Sequence, residues 1–427
     1  MMLVDHPQRR ALNDEVHARP PERLRAPMRL TYLAMFSSGD RNKDTDAIQS
    51  LITMMKGKPL GAEQNHYSAD FGSFRVKWER HNEFVRYKFF VSGDEAHLFS
   101  DPAINVVPKE WLANLPGEVI AANHAVLLPM PEEQIRTDQL SDEVFAGNAL
   151  IGSTTSGGKG IVLTDFRIHA DGFGRIVFYD GGLTPRQFGR LVQRVMEIDT
   201  YRSMALLTFP IAKELSPFLH HSEQELLSII AGMEHANEED EPELFDRITH
   251  LEAQVERRRS DTHFRFSAGD AYYDIVQSRV EDLREGRIEG LQTFREFNDR
   301  RLAPAMATCH AVFSRHEALL ERIGRTTLLL STRVNVTREK QNQAVLKSLD
   351  RRANLQLRLQ QTVEGLSVAA ISYYIVGLVG YGVKGLKAYG VDINADIAVA
   401  VSIPIVVGIV AFGLWRFHKA LDKDFRK

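Results

Sequence analysis

Two uncharged apolar runs near the end of the chain decide how the rest is read: LSVAAISYYIVGLVGYGV, residues 366–383, and IAVAVSIPIVVGIVAFGLW, residues 397–415. They are 18 and 19 residues long, with 13 residues between them. A helix needs about 20 apolar residues to cross the hydrocarbon core, so each run is a spanning candidate. Lipid offers the backbone no hydrogen-bond partners, so each run must be helical. The pair predicts a transmembrane hairpin, with Pro404 bending the second helix rather than ending it. A buried hairpin of a soluble domain is the alternative, and two such runs in succession argue against it.

Basic residues orient the hairpin. Lys347, Arg351, Arg352 and Arg358 precede the first run, and Arg416, Lys419, Lys423, Arg426 and Lys427 follow the second; only Lys384 and Lys387 lie between. The positive-inside rule puts both flanks, and with them both chain ends, in the cytoplasm and the short loop outside. Tyr381 and Trp415 suit the two interfaces. A composition of 44% hydrophobic and 26% charged residues is that of a globular body carrying this hairpin, and 427 residues allow two or three units. A net charge of -3 gives no footing for nucleic-acid binding. The single cysteine, Cys309, excludes a disulfide within the chain, and residues 1–15 hold no signal-type apolar core, which together read as a reduced cytoplasmic body.

Upstream of the hairpin the helical pattern is continuous back to Pro304, read as a helix start. Leu302, Met306, Cys309, Phe313, His316, Leu320, Ile323, Thr327, Leu330 and Val334 fall on one seam at steps of four and three, a coiled-coil signal in which His316 and Thr327 set register. About 60 such residues at ~1.5 Å each would make a rod of roughly 90 Å leading into the first span. Farther upstream, Thr184-Pro185-Arg186-Gln187 carries the marks of a capping box with proline in the first turn, opening a helix whose apolar face runs from Phe188 to Ile198. Helices continue over 222–290, with the acidic cluster 238–243 as a solvated turn.

Before Thr184 the signals are strands over 30–36, 74–78, 84–90, 119–128, 161–166 and 175–179, with helices over 46–55 and 109–115. Asp171-Gly172 reads as the turn joining the last two strands. The expected fold class is thus a mixed-sheet α/β N-terminal cytoplasmic domain, then an all-helical region, a long coiled-coil-like helix and a C-terminal two-helix transmembrane hairpin. The expected boundaries are an extended arm over 1–28, the α/β domain over 29–183, helices over 184–300, the rod over 301–365, the hairpin over 366–415 and a basic tail over 416–427.

Chemistry is harder to read. The Gly-rich run 152–160 fails as a phosphate loop because Gly158 stands where lysine is needed and Gly160 where a hydroxyl should hold magnesium; it is read as a flexible loop. No zinc spacing, catalytic triad or activated carboxylate pair can be recognised, so the cofactor stays unknown and an enzyme unsupported. Candidate contact residues are His17 and Arg19 in the Pro-rich arm, with His81, Glu83, Asp165 and Arg167; ion pairs pinning the arm are the bland alternative for the first two. Within the membrane, Tyr373 and Tyr374 need partners for their hydroxyls, Gly377 and Gly380 permit close helix approach, and Gly382 and Lys384 stand at the mouth. These residues are expected to face other helices, lining a path or packing within the chain.

The stretch 13–22 with its His-Ala-Arg-Pro-Pro core, His81-Asn82-Glu83-Phe84, and residues 362–374 together resemble domain-of-unknown-function family 3422, bacterial predicted membrane-anchored proteins. The resemblance covers nearly the whole chain, extends to Asp165-Phe166-Arg167 and 189–201, and implies a bacterial inner membrane without an activity. The layout is also similar to CorA-type divalent-cation channels, but Gly382-Val383-Lys384 replaces their Gly-Met-Asn, and a ring of ammonium groups would repel a cation. The function expected is a membrane-anchored homo-oligomer of unknown activity, in which a cytoplasmic binding or sensor domain is coupled through a long helix to the hairpin, with ion or solute passage possible. The alternative is a non-conducting scaffold recruiting cytoplasmic protein partners.

Overall fold

The computed structural model describes residues 5–10, 12–13, 20–37, 40–61, 64–93, 99–388, 390 and 394–424. The chain divides into two compact units, Met1–His235 with Glu243–Leu328, and Ala236–Pro242 with Leu329–Lys427.

Residues rich in β-branched and aromatic side chains build the sheet of the first unit. Its strands are β1 (Met28–Phe36), β2 (His66–Asp70), β3 (Arg75–Arg80), β4 (Phe84–Ser92), β5 (Glu118–Pro129), β6 (Ile151–Thr155), β7 (Gly160–Thr164), β8 (Gly174–Asp180) and β9 (Gly286–Arg287). They lie in the order β2-β3-β4-β1-β5-β8-β7-β6-β9. Only β5 and β8 run parallel; the other pairs are antiparallel. Helices α1 (Arg41–Met54), α2 (Lys109–Ala113) and α3 (Thr137–Val144) are interleaved with the strands. After β8 come α4 (Pro185–Leu206), α5 (Thr208–His235), α6 (Glu241–Asp282), α7 (Phe294–Ala388) and α8 (Ala395–Asp424). The mixed α/β sheet domain followed by helices is the architecture expected.

Alternation along the strands gives the sheet two buried faces. On one, Leu30, Tyr32, Phe84, Phe90 and Leu127 meet Phe188, Val192, Val195 and Met196 of α4, and the core continues into Val276 and Val280 of α6 and Phe294, Leu302 and Met306 of α7. On the other, Trp78, Tyr87 and Phe89 pack against Ile48 and Leu51 of α1 and Trp111 of α2. Each such side chain stabilises the fold by roughly 1.5–3 kcal/mol through burial. The capping box read at Thr184 is present, with Pro185 in the first turn and the Gln187 side chain accepting from the Thr184 N–H at 2.9 Å.

Two readings are corrected. The Gly-rich run is not a loop throughout: 151–155 form β6, and only 156–159 make the turn into β7, with Ser156, Gly157 and Gly158 at positive φ. Gly152 sits in the strand because a Cβ there would overlap the Leu163 side chain. Pro304 does not start a helix, since α7 begins ten residues earlier. Its start is fixed by a second capping box, in which the Glu296 N–H donates to Thr293 Oγ1 at 3.1 Å and the Thr293 N–H to Glu296 Oε2 at 3.2 Å. The seam of α7 is also occupied within the chain. Leu302, Met306, Cys309, His316 and Ile323 are buried, His316 Nε2 lies 3.1 Å from the Val255 carbonyl oxygen of α6, and the Thr327 hydroxyl donates to Glu252 at 2.9 Å. Burial and the nearby Asp270 push the Cys309 thiol up to about 11, so it stays protonated at neutral pH.

Buried His124 gives this unit a pH dependence. The Ile104 N–H donates to Thr31 Oγ1 at 3.1 Å, Thr31 Oγ1 and His124 Nδ1 share a hydrogen bond of 2.9 Å, and Phe173 stacks on the ring at 3.9 Å. Burial lowers its pKa from 6.5 to about 4, against the pull of Asp171 and with the help of Arg175. Between those values the unfolded chain takes up a proton that the folded chain refuses. The stability is therefore present above about pH 6.5 and is lost as pH falls through 4, by on the order of 3 kcal/mol. Thermal unfolding should show a lower Tm at pH 5 than at pH 7, with a shallower slope in His124→Asn; equal slopes would refute the assignment.

In the second unit, α7 and α8 are both long and apolar enough to cross a membrane, α8 through Asp396–Arg416. Residues 338–363 of α7 are all exposed, and the helix continues through them into the apolar run. The helix α8 runs on through Pro404.

Candidate functional site

The most concentrated chemistry lies between the sheet and α4. In β3, Val76 and Trp78 point into the α1 face, so Arg75, Lys77 and Glu79 point the other way. The antiparallel register places Lys88 opposite Lys77 and Arg86 opposite Glu79. Fully buried Glu79 receives Lys88 Nζ at 2.9 Å, Lys77 Nζ at 3.3 Å and Arg86 Nη2 at 3.3 Å. Arg86 also reaches Glu197 of α4 at 3.4 Å, and Glu197 accepts from Gln193 at 2.8 Å and from Arg279 of α6 at 2.6 Å. Burial would raise the Glu79 carboxyl, but Lys88, Arg86 and Lys77 outweigh it and hold the group well below the usual carboxylate range. The same balance, with Arg86 foremost, lowers Glu197.

A strap of residues 20–25 closes the cluster. The Pro20 carbonyl accepts from Lys77 Nζ at 2.6 Å, and the Glu22 carboxylate lies 3.7 Å from Lys77 and 3.5 Å from Arg75. Leu24 is buried, and its N–H donates to the Pro185 carbonyl at 3.1 Å. The strap lies so close to α4 that a Cβ on Gly189 would overlap the Glu22 carbonyl oxygen. Five cations, Arg75, Lys77, Arg86, Lys88 and Arg279, are thus arranged around three carboxylates, Glu22, Glu79 and Glu197. None of the five was singled out in the sequence; the available signal was the run of charges at alternate positions of two adjacent strands.

The residues singled out in the sequence are distributed elsewhere. His17 and Arg19 lie outside the described residues. His81 and Glu83 occupy the β3–β4 turn, where the His81 N–H donates to the Phe84 carbonyl at 2.9 Å and its ring stacks on Phe84 at 4.6 Å. Glu83 ties this turn to α6, accepting from the Tyr272 hydroxyl at 2.7 Å and pairing with Arg265. Asp165 is buried at a corner after β7, where it accepts from Asn148 at 2.9 Å and from the Arg167 N–H at 3.1 Å and lies 2.9 Å from His169 Nε2. The Arg167 side chain is exposed. Both pairs join elements of the fold. Among the described residues, no three His, Cys, Asp or Glu side chains gather as a metal site would require.

The hairpin residues do come together. Tyr373, Tyr374, Gly377, Gly380 and Lys384 line one groove of about 740 Å³ between α7 and α8, with Asp396 and Ile403 of α8 on its far side; Gly382 is not among its lining residues. A Cβ on Gly380 would meet Val399 at 3.5 Å, whereas at Gly377 and Gly382 it would meet open space. Tyr373 and Tyr374 are 78% and 73% exposed, and buried Ser372 has no hydrogen-bond partner for its hydroxyl among the described residues.

A family model described as "Protein of unknown function (DUF3422)" matches residues 4–421. No curated protein matches the chain.

Proposed function

This chain belongs to the DUF3422 family of proteins of unknown function, and from that premise we propose that it is a two-span membrane protein in which a cytoplasmic binding or sensor domain is coupled through α7 to a homo-oligomeric hairpin. One observation carries the reading: α7 is a single helix that contributes Phe294, Leu302 and Met306 to the core of the sheet domain and, farther along, the apolar run 366–383. A shift imposed on its first turns has no flexible linker in which to dissipate. The basic flanks favour both termini in the cytoplasm, by the positive-inside rule, and the inner membrane is the location that the family resemblance implied.

Assembly is supported by what one copy leaves uncovered. In lipid a tyrosine hydroxyl gains from a partner, and small residues let helices approach; Tyr373, Tyr374 and Gly377 supply both on a face the single chain does not fill. Passage of an ion or solute along the groove between α7 and α8 is the most specific form of this reading.

The test is an exchange of residues 366–415 for an unrelated two-span hairpin, with the mass of the purified protein as readout. The exchanged protein is expected to stay in the membrane and to lose its oligomeric state, and the double variant Tyr373→Phe/Tyr374→Phe to weaken it. An unchanged mass after the exchange would contradict the coupling role and leave the hairpin a tether, as in a scaffold.

A further inference from the structure

The outer side of the strap faces a second, separate feature. Extended chain alternates its side chains, so while Glu22 and Leu24 turn inward, Arg23 and Arg25 stand exposed on the opposite side. There they border an open cleft of about 690 Å³, completed by Met28 and Ser92, which are paired at the ends of β1 and β4, and by Thr184, Pro185 and Arg186 in the first turn of α4. Three guanidinium groups line this cleft, and among the described residues no carboxylate does. Among the described residues, none of the three arginines pairs with an acid.

We propose that this cleft binds a phosphate-bearing anion with more than one negative charge, of up to nucleotide size. The volume falls within the range of small-molecule sites. Guanidinium forks match phosphate oxygens in pairs, and three of them around one opening favour a ligand whose charge is spread over more than one phosphate oxygen set. The amino-terminal end of a 22-residue helix adds the positive end of its dipole on the same side. Ser92 offers a hydroxyl, while Met28 and Pro185 give the cleft an apolar wall. The strap itself is held in place by Glu22 and by the Leu24 bond to Pro185, so Arg23 and Arg25 are presented from a fixed backbone. This inference rests on reading the sheet domain as a binding domain and names the class of its ligand. It does not depend on the hairpin, so a monomeric chain that still bound the anion would keep the site and remove only the coupling.

The full chain in nanodiscs of phosphatidylcholine, titrated calorimetrically with inorganic pyrophosphate, tests it. One pyrophosphate per chain is expected, with affinity falling as salt rises. Arg186→Gln should weaken binding about tenfold or more, and so should the double variant Arg23→Gln/Arg25→Gln, because each removes charge-assisted hydrogen bonds. Lys159→Gln, an exposed charge elsewhere in the domain, should leave it unchanged. All four substituted residues are exposed, and an unaltered Tm confirms that the variants are folded. Repeating the titration in discs containing phosphatidic acid separates two sources of the same chemistry. Weaker pyrophosphate binding there would identify a lipid headgroup as the competitor, and equal binding a soluble phosphate compound. Absence of binding at millimolar pyrophosphate, or binding indifferent to all three arginines, would overturn the proposal.

Discussion

Glu79→Ala is expected to cost about 3–5 kcal/mol of stability, the usual result of removing one partner from a buried ionic group. Lys77, Arg86 and Lys88 all direct charge at this carboxylate, and all three are nearly as buried as it is. With Glu79 gone, Arg86 keeps Glu197 and Lys77 keeps Pro20 and Glu22, but Lys88 loses the only hydrogen-bonded ion-pair partner it has among the described residues. Glu79→Gln keeps the shape and removes the charge, so a loss of similar size there would identify charge rather than packing as the cause. Because the folded carboxyl is held below its usual 4.5, its contribution is present above that value and is lost only as pH falls through the lowered one. Denaturant unfolding followed by tryptophan fluorescence, to which buried Trp78 contributes, measures the effect. A loss below about 1 kcal/mol would show that the cations find other partners.

Gly189→Val should displace the strap. Its side chain would occupy the space of the Glu22 carbonyl oxygen, and neither the core of α4 nor the sheet beneath can give way as readily as a single extended segment. Displacement would remove the Pro20 and Glu22 contacts of Lys77 and expose Leu24, a loss of roughly 3–6 kcal/mol from one buried apolar side chain and one charged hydrogen bond. It would also move Arg23 and Arg25 off the cleft, so pyrophosphate binding should fall with it. Limited proteolysis within residues 20–25 is the direct readout. A strap as resistant as in the parent protein would show that α4, not the strap, yields.

The elements legible in the sequence are those whose signal is local. The capping residues of Thr184 announce α4, and strands β1 and β4 are marked by aromatic and β-branched residues whose spacing needs no knowledge of the partner strand, whereas β2, His-Tyr-Ser-Ala-Asp, carries too few of them to be read. Tyr373, Tyr374, Gly377 and Gly380 stood out for a similar reason, since polar and small residues are conspicuous within an apolar run. The ionic cluster was not, because charges at alternate positions of a strand usually mark a face turned to water. Only α4, roughly 100 residues downstream, makes that face an interior. Glu83 and Asp165 stood out as polar residues, but their partners Arg265, Tyr272 and Asn148 belong to other elements, so their joining role could not be read locally. The helix start at Phe294 was masked by Pro304, a stronger punctuation mark than the capping box that sets it.

Coupling of the sheet domain to an assembled hairpin is tested most directly by the mass and symmetry of the full-length protein in phospholipid nanodiscs, determined by light scattering and single-particle imaging. A closed homo-oligomer, with the 366–383 segments of its copies gathered around a common axis, is the result expected. A monomer with Tyr373 and Tyr374 turned to lipid would contradict it.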